Sequence, residues 1–437
     1  MDSLVHGHTV CKIVRADKNH SYRSKMTQKA EFPARDPSPV RDHPLIVQSH
    51  LRWDFVWQRP QQLMSRFAAD APVLFVEEPI HLDDADSNRL QITMPAPGVY
   101  RAVPKLVASL RESHDKSLVA VRNLVLNELG PRGRLDGLFA NAVQWFYTPM
   151  PAPAMLGAFN ETGVVYDCMD ELSQFRHAPR ELIERERLLI TNSDVVFTGG
   201  YRLFTAKSAM HPNVHFFGCG VDVAHFTSAR SSSTTIPADA RFESPVAGYV
   251  GVIDERIDYD LLTALASRYP EMTIVMVGPT AKVDAAELPN LPNIKWLGQK
   301  PYDELPRYVK SFDVCLMPFA LNEATEFINP TKTLEYMAAG KPIVSTAVPD
   351  VLRNFTPIVT VAKSTKEFLA GVWNAAVAPD GQHIAAGIEL ASRSSWEDIV
   401  FRMRSLIRQA VDESAIIQTI EVPARIASAS DAELSGA

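Results

Sequence analysis

Short apolar runs alternate with stretches of helical spacing along most of this chain. LIVQS at 45 to 49 reads as a first strand, and from Pro60 the residues Leu63, Met64, Phe67 and Ala68 gather on one face of a helix. VLFVEE at 73 to 78 is a second strand. Strand, helix, strand is the opening of a parallel sheet with right-handed crossovers. The same rhythm continues through strands VQWFYT (143 to 148), GVVYD (163 to 167), DVVFT (194 to 198) and NVHFF (213 to 217), with helical stretches around 116 to 129, 180 to 191 and 201 to 209. The section from Ile80 to Arg111 breaks it and accommodates an antiparallel excursion.

After Gly220 the alternation stops in TSARSSSTTIPADARFESP, a Ser/Thr/Pro-rich tract with no apolar period. VAGYVGV at 246 to 252 restarts it, followed by a helix over 258 to 267, strands MTIVMVG (272 to 278) and NIKWLG (293 to 298), a helix over 302 to 310, and strands DVCLMPF (313 to 319), KPIVST (341 to 346) and PIVTV (357 to 361). A helix over 365 to 377 completes this second α/β unit, and Ile399, Met403, Leu406 and Ile407 mark a late helix from Trp396 to Ala410. The expected class is α/β, with two doubly wound Rossmann-like domains facing across a cleft. Expected boundaries are a disordered leader over 1–43, a first domain over 44–228, a linker over 229–244, a second domain over 245–380, C-terminal helices over 381–412 and a flexible tail over 413–437. Met26 is an alternative start.

Composition narrows the function classes. A length of 437 residues, 46% hydrophobic and 22% charged residues describe a soluble globular chain with room for two or three domains. A net charge of −7 argues against nucleic acid as a partner. Cys11, Cys168, Cys219 and Cys315 show neither disulfide nor zinc spacing, and no apolar segment approaches a membrane span. The expected location is the cytoplasm, with peripheral association at the inner membrane face as a further expectation.

The densest local chemistry lies in NEATEFINPTKTLEYMAAGKPIVST, Asn322 to Thr346. Asn329 can cap a short helix, Pro330 suits its first position and Gly340 can end it. First-turn N–H groups at Thr331 to Thr333 lack intrahelical partners and sit at the positive end of the helix dipole, where a phosphate is held. Lys332 adds a full charge. Glu335, three residues on, shares its face, and a carboxylate there can accept two hydrogen bonds from a vicinal diol such as a ribose. A solvated surface helix carrying a Lys/Glu pair has the same spacing.

The order Pro-x-Lys-x-x-Glu-Tyr-Met-Ala-x-Gly-Lys-Pro-Ile-Val-Ser-Thr resembles the donor-nucleotide element of GT-B glycosyltransferases, in the bacterial group close to glycosyltransferase family four. The resemblance implies that Glu335 binds the ribose of a UDP- or GDP-sugar co-substrate, that Asn329, Thr331, Lys332 and Thr333 face its diphosphate, and that no metal or other cofactor is bound. Gly251 in YVGVIDERIDYDLL, at a strand end, permits close approach of a phosphate, and Arg256 is the implied basic contact. Arg256 also reads as a surface arginine among Asp254, Glu255 and Asp258, with Asp258 as a helix cap. Gly278 and Pro279 fall where relatives place the base, with backbone contacts implied over 297 to 302. Many relatives carry a second glutamate eight positions before the first; here that position is Phe327, with Glu323 and Glu326 close by.

In the first domain SHLRWDFVWQRPQQL resembles the opening motif of the same subgroup. Trp53, Gln58 and Arg59 are expected on the acceptor side, since aromatic faces stack on sugars and forked donors bind hydroxyls. His50 is a candidate base or hydroxyl-orienting group, and equally a structural histidine. Asp167, Asp170 and Glu171 in YDCMDELSQF read as loop caps or paired carboxylates. GVDVAHF at 220 to 226 matches the exit from the first domain, and the last helix is expected to cross back onto it. The implied activity is transfer of a sugar to a carbohydrate or lipid-linked acceptor, with retention of configuration, in polysaccharide or glycoconjugate synthesis; His50, Arg256 and Lys332 are the candidate catalytic groups. A sugar-nucleotide epimerase of the same fold and a non-catalytic sugar-nucleotide-binding protein remain open.

Overall fold

The computed structural model describes residues 42–83, 87–175 and 178–433. The leader expected over 1–43 therefore lies outside the described residues, apart from its last two. The described residues form one compact unit holding two sheets.

The first sheet contains β1 (Leu45–Ser49), β2 (Val73–Glu77), β3 (Ile80–Leu82), β4 (Arg89–Ala96), β5 (Val99–Val107), β6 (Val143–Phe146), β7 (Gly163–Cys168), β8 (Val195–Thr198) and β9 (Val214–Phe216). Its order is β3-β5-β2-β1-β6-β7-β8-β9, parallel except for β4, which pairs antiparallel with β5. The excursion expected between Ile80 and Arg111 is this β4–β5 ribbon. The central strands are buried end to end because helices cover both faces, which is why they read as continuous apolar runs. Those helices include α1 (Arg59–Phe67), α2 (His114–Leu129), α3 (Ala152–Met155), α4 (Leu182–Thr191) and α5 (Tyr201–Lys207).

After α6 (Val223–Thr227) the second sheet runs β12-β11-β10-β13-β14-β15, all parallel, from β10 (Val246–Val250), β11 (Thr273–Val277), β12 (Ile294–Gly298), β13 (Val314–Met317), β14 (Ile343–Thr346) and β15 (Thr360–Ala362). Its helices are α7 (Tyr259–Arg268), α8 (Leu305–Lys310), α9 (Lys332–Ala338), α10 (Pro349–Phe355), α11 (Thr365–Val377) and α12 (Gly381–Ser392). The last strand starts later than PIVTV implies, because α10 occupies the chain to Phe355 and Pro357 cannot donate to a ladder. The Ser/Thr/Pro tract lies on this lobe: Ala229 and Ala240 enter its core, and Asp239 pairs with Lys300 at 2.7 Å.

Both sheets reverse direction of growth at one point, between β1 and β6 in the first and between β10 and β13 in the second. Crevices at the carboxyl ends of such strands receive ligands. The final helix, α13 (Trp396–Glu433), returns to the first lobe: Trp396, Ile399, Met403 and Ile407 pack with Leu63, Phe67 and Trp145. Its backbone continues beyond residue 413, where the sequence has no sustained apolar stripe, so the helical segment is longer than its periodicity implies.

Candidate functional site

Two adjoining cavities separate the lobes. One, of about 470 Å³, is lined by second-lobe residues Gly251, Gly278, Tyr302, Thr331 and Lys332 together with Trp57 of the first lobe. The other, of about 960 Å³, lies mostly against the first lobe and includes His50 and Lys282. Phe55, Gln58, Asp170 and Arg256 line both, so they form one cleft.

The start of α9 differs in detail from its expected form. The helix begins at Lys332, with Thr331 already helical at φ −58° and ψ −32° and offering no side-chain cap. Asn329 is not the cap; its Nδ2 donates across the cleft to the Gly199 carbonyl at 3.0 Å. The cause is the docking of residues 327 to 329 on the first lobe, where the Asn329 carbonyl also accepts from Cys219 Sγ at 3.1 Å. The Thr333 N–H is not free either: it donates to the Pro330 carbonyl at 3.3 Å, and its fully buried hydroxyl donates to the same oxygen at 3.0 Å. Thr331 and Lys332 face the cavity. Gly340 ends the turn at φ +69°, as expected of a left-handed terminator.

Lys332 and Glu335 share a face, with Nζ 2.6 Å from Oε2. Glu335 is 6% exposed and lies behind Lys332. Burial raises its carboxyl above the usual range, and Lys332 works against that shift. Beside it, Tyr302 stacks on His225 at 4.6 Å, sits 5.7 Å from the Trp57 ring and accepts from Gln62 Nε2 at 2.7 Å.

Gly251 and Gly278 line the same cavity as Lys332. Gly278 has φ +151°, and a Cβ there would lie 1.7 Å from the Gly251 carbonyl, so only glycine allows the two loops to meet. Gly278 N donates to the Gly298 carbonyl at 2.9 Å, which brings Gln299, Lys300 and Pro301 to the same cavity. Arg256 lines the cleft with its guanidinium held by Asp254, closest at 2.7 Å. Arg256 is thus a half-buried, cleft-lining arginine already paired with Asp254. Asp258 caps α7, accepting from Leu261 N at 2.8 Å.

On the first lobe the expected acceptor residues Trp53, Gln58 and Arg59 all line the smaller cavity, with their side chains engaged to different degrees. Arg59 is 5% exposed, gripped by Asp167 at 2.9 Å, and donates to the Phe217 carbonyl at 3.0 Å. Trp53 is 4% exposed and packs edge-on against Phe75 and Trp57. Gln58 caps α1 reciprocally with Gln61 while lining both cavities. Of the acidic trio, Asp167 holds Arg59, Glu171 pairs with Lys207 at 2.8 Å, and only Asp170 lines the cleft. Burial raises the Asp170 carboxyl, with Arg256 opposing. Glu326 pairs with Arg202 and is not among the cavity-lining residues; neither are Glu323 and Phe327. In the sequence Trp57 carries no assigned role, Tyr302 only closes the stretch of implied backbone contacts over 297 to 302, and His225 appears only within the exit motif GVDVAHF. Trp57 carries a signal in hindsight, as the second tryptophan of a motif whose first belongs to the core.

His50 follows β1 at the acceptor-side cavity, and its Nδ1 is buried with no partner among the described residues. Burial, reinforced by Lys282, lowers its pKa from near 6.5 to about 4. His50 is therefore uncharged at neutral pH. Between about pH 6.5 and 4 the unfolded chain binds the proton that the folded chain refuses, so this residue's contribution to stability is lost as pH falls through that window. The melting temperature of the parent should fall relative to that of His50→Asn as pH drops from 7 to 4; parallel curves would remove His50 as the source.

Among the described residues no group of three His, Cys, Asp or Glu side chains is placed to hold a metal ion, and no helix is long and apolar enough to cross a membrane.

Comparison with known proteins finds partial matches. Residues 244–375 match the family described as Glycosyl transferases group 1. Over 233 residues the chain is 28% identical to the putative teichuronic acid biosynthesis glycosyltransferase TuaH of Bacillus subtilis (strain 168), covering 49% of this chain and 58% of that protein. The chain thus spans a little over half of this curated relative. Among solved structures, sucrose-phosphate synthase from Thermosynechococcus elongatus superposes with TM-score 0.62 at 16% identity, over 84% of this chain and 98% of that one. Anabaena HepE in complex with UDP and glucose gives 0.58 at 14%, over 83% and 99%. At these identities the structural likeness concerns the fold, which is GT-B.

Proposed function

We propose that this chain, GT-B in fold and related to the glycosyl transferases of group 1, transfers a sugar from a UDP- or GDP-sugar to a carbohydrate or lipid-linked acceptor in polysaccharide or glycoconjugate synthesis. The observation that carries this reading is Lys332, presented by the start of α9 to an interlobe cavity whose wall includes Gly251 and Gly278, which bring no side chain into it. A diphosphate fits between a full positive charge and such a wall. Glu335, one turn deeper, receives the ribose, and the loop over 299 to 302 with Tyr302 receives the base. On donor binding Lys332 exchanges part of its contact with Glu335 for the diphosphate, which frees the carboxylate for the ribose hydroxyls.

The barrier of such a transfer is dominated by charge growing on the departing nucleoside diphosphate. Lys332 and Arg256 stabilise it, while closure of the lobes aligns the acceptor hydroxyl with the anomeric carbon. His50, uncharged and beside the acceptor cavity, orients that hydroxyl. Retention of anomeric configuration is carried over from the family resemblance, and proton NMR of the first-formed product tests it. The donor is tested by thermal shift against nucleoside diphosphates and their sugars, because a ligand of the folded state raises the melting temperature. UDP or GDP should do so. Turnover of the nucleotide sugar without an acceptor would favour an epimerase, and binding with no transfer across an acceptor panel a binding protein.

A further inference from the structure

A polar residue interrupts β1 where its alternation requires an apolar one. Leu45 and Val47 pack on one face of the first sheet and Ile46 on the other. Gln48 follows Ile46 on that second face. It is 2% exposed, and its amide nitrogen finds no hydrogen-bond partner among the described residues. Buried donors in folded proteins are almost always paired, so an unpaired one points to a partner supplied from outside the chain.

Gln48 lines a side chamber of about 230 Å³ at the carboxyl ends of β1, β2 and β6, beneath the first turns of α2. Such a position in an open α/β sheet is where ligands enter. Part of the wall is apolar, from Val76, Leu118, Val121 and Met155. The polar part includes Glu78, His81 and Thr148. Ser117 Oγ donates to the Leu110 carbonyl at 2.8 Å and stands 3.0 Å from His81 Nε2, so Nε2 carries its proton toward Ser117 and Nδ1 is left to accept. Glu78, His114, Thr148 and Met150 line both this chamber and the larger acceptor-side cavity, which makes it a branch of the cleft. No arginine or lysine is among the lining residues. Glu77, also in the wall, is committed to Arg52, Arg101 and the Trp53 amide.

We propose that this chamber is a subsite for one uncharged sugar unit of the acceptor. Gln48 Nε2 donates to a hydroxyl or acetamido oxygen, Glu78 accepts from a hydroxyl, and the apolar wall covers the C–H face of the ring. A carboxylated or phosphorylated sugar would bring its charge to Glu78 with no lysine or arginine in the wall to offset it, which disfavours that class. The assignment rests on the glycosyltransferase reading, because it takes the first-lobe cavity to be the acceptor side.

Saturation-transfer NMR on the full chain tests it, with methyl glucopyranoside, N-acetylglucosamine and glucuronate as probes and Gln48→Leu and Glu78→Gln as variants. The parent should bind the two neutral sugars and not glucuronate. Gln48→Leu should weaken neutral-sugar binding by about 2- to 10-fold, the worth of one hydrogen bond, while melting no lower than the parent because an apolar residue restores the alternation. Glu78→Gln should admit glucuronate. A Gln48 with only a structural role would lower the melting temperature on substitution and leave sugar binding unchanged. That result, glucuronate binding to the parent, or no binding of any probe overturns the assignment. Gln48→Met provides the same test if the leucine variant does not fold. UDP and GDP binding by the same samples keeps the two claims apart: its absence from the parent defeats the donor reading, whereas its persistence beside unchanged sugar binding defeats the chamber alone.

Discussion

Lys332→Ala is expected to lower kcat by about 10²- to 10³-fold, the effect of removing one preorganised group that stabilises charge in a transition state. The structure adds a second consequence. Glu335, 6% exposed, would lose the ammonium group 2.6 Å away, and its carboxyl, already raised by burial, would rise further. A raised carboxyl pKa means that stability falls as pH increases from the ordinary carboxylate range through the new value, so the variant should be relatively more stable in mild acid than at neutrality. Lys332→Ala/Glu335→Gln removes that stability term but not the catalytic loss. Steady-state rates and melting curves of the single and double variants separate the two. A kcat within a factor of a few of the parent would remove Lys332 from the chemistry.

Arg59→Ala should cost about 3–5 kcal/mol of stability, the usual result of taking one partner from a buried ion pair. The Asp167 carboxylate, wholly buried, would be left without its guanidinium at 2.9 Å, and the Phe217 carbonyl would lose its donor at 3.0 Å. Replacing both charges, in Arg59→Met/Asp167→Leu, should restore most of the loss, since apolar side chains of similar volume substitute well for a buried pair. Equilibrium unfolding of the three proteins is the measurement. Arg59 then acts by holding α1 and the loop before it against the first sheet, and the folded double variant should still bind donor nucleotide. A stable single variant that loses acceptor binding would instead return Arg59 to direct contact with the acceptor.

Both predictions concern residues that stand out in the sequence, and the difference in their roles shows what a sequence carries. Strands in doubly wound sheets are buried on both faces, so LIVQS, VLFVEE and VAGYVGV announce themselves as apolar runs, and their alternation with helices determines the class. The Lys332–Glu335 relation was equally legible, because a three-residue step on a helix holds wherever the helix lies. What was not legible depends on contacts between lobes. Asn329 has the composition of a cap, but its amide reaches Gly199, 130 residues away in sequence. Trp53 and Trp57 are alike in sequence, and only packing against Phe75 buries the first at the base of the cavity wall that both line. Arg59 looks like a ligand-binding arginine until the strand carrying Asp167 comes alongside it. The helical continuation past residue 413 has no periodic stripe to announce it.

The central claim is that the interlobe cavity beside Lys332 holds the diphosphate of a donor nucleotide. A crystal structure of the full chain with UDP or GDP tests it most directly. Phosphate oxygens are expected within hydrogen-bond distance of Lys332 Nζ and in van der Waals contact with Gly251, with the ribose hydroxyls on Glu335. Nucleotide bound elsewhere on the chain, with Lys332 still closed on Glu335, would contradict it.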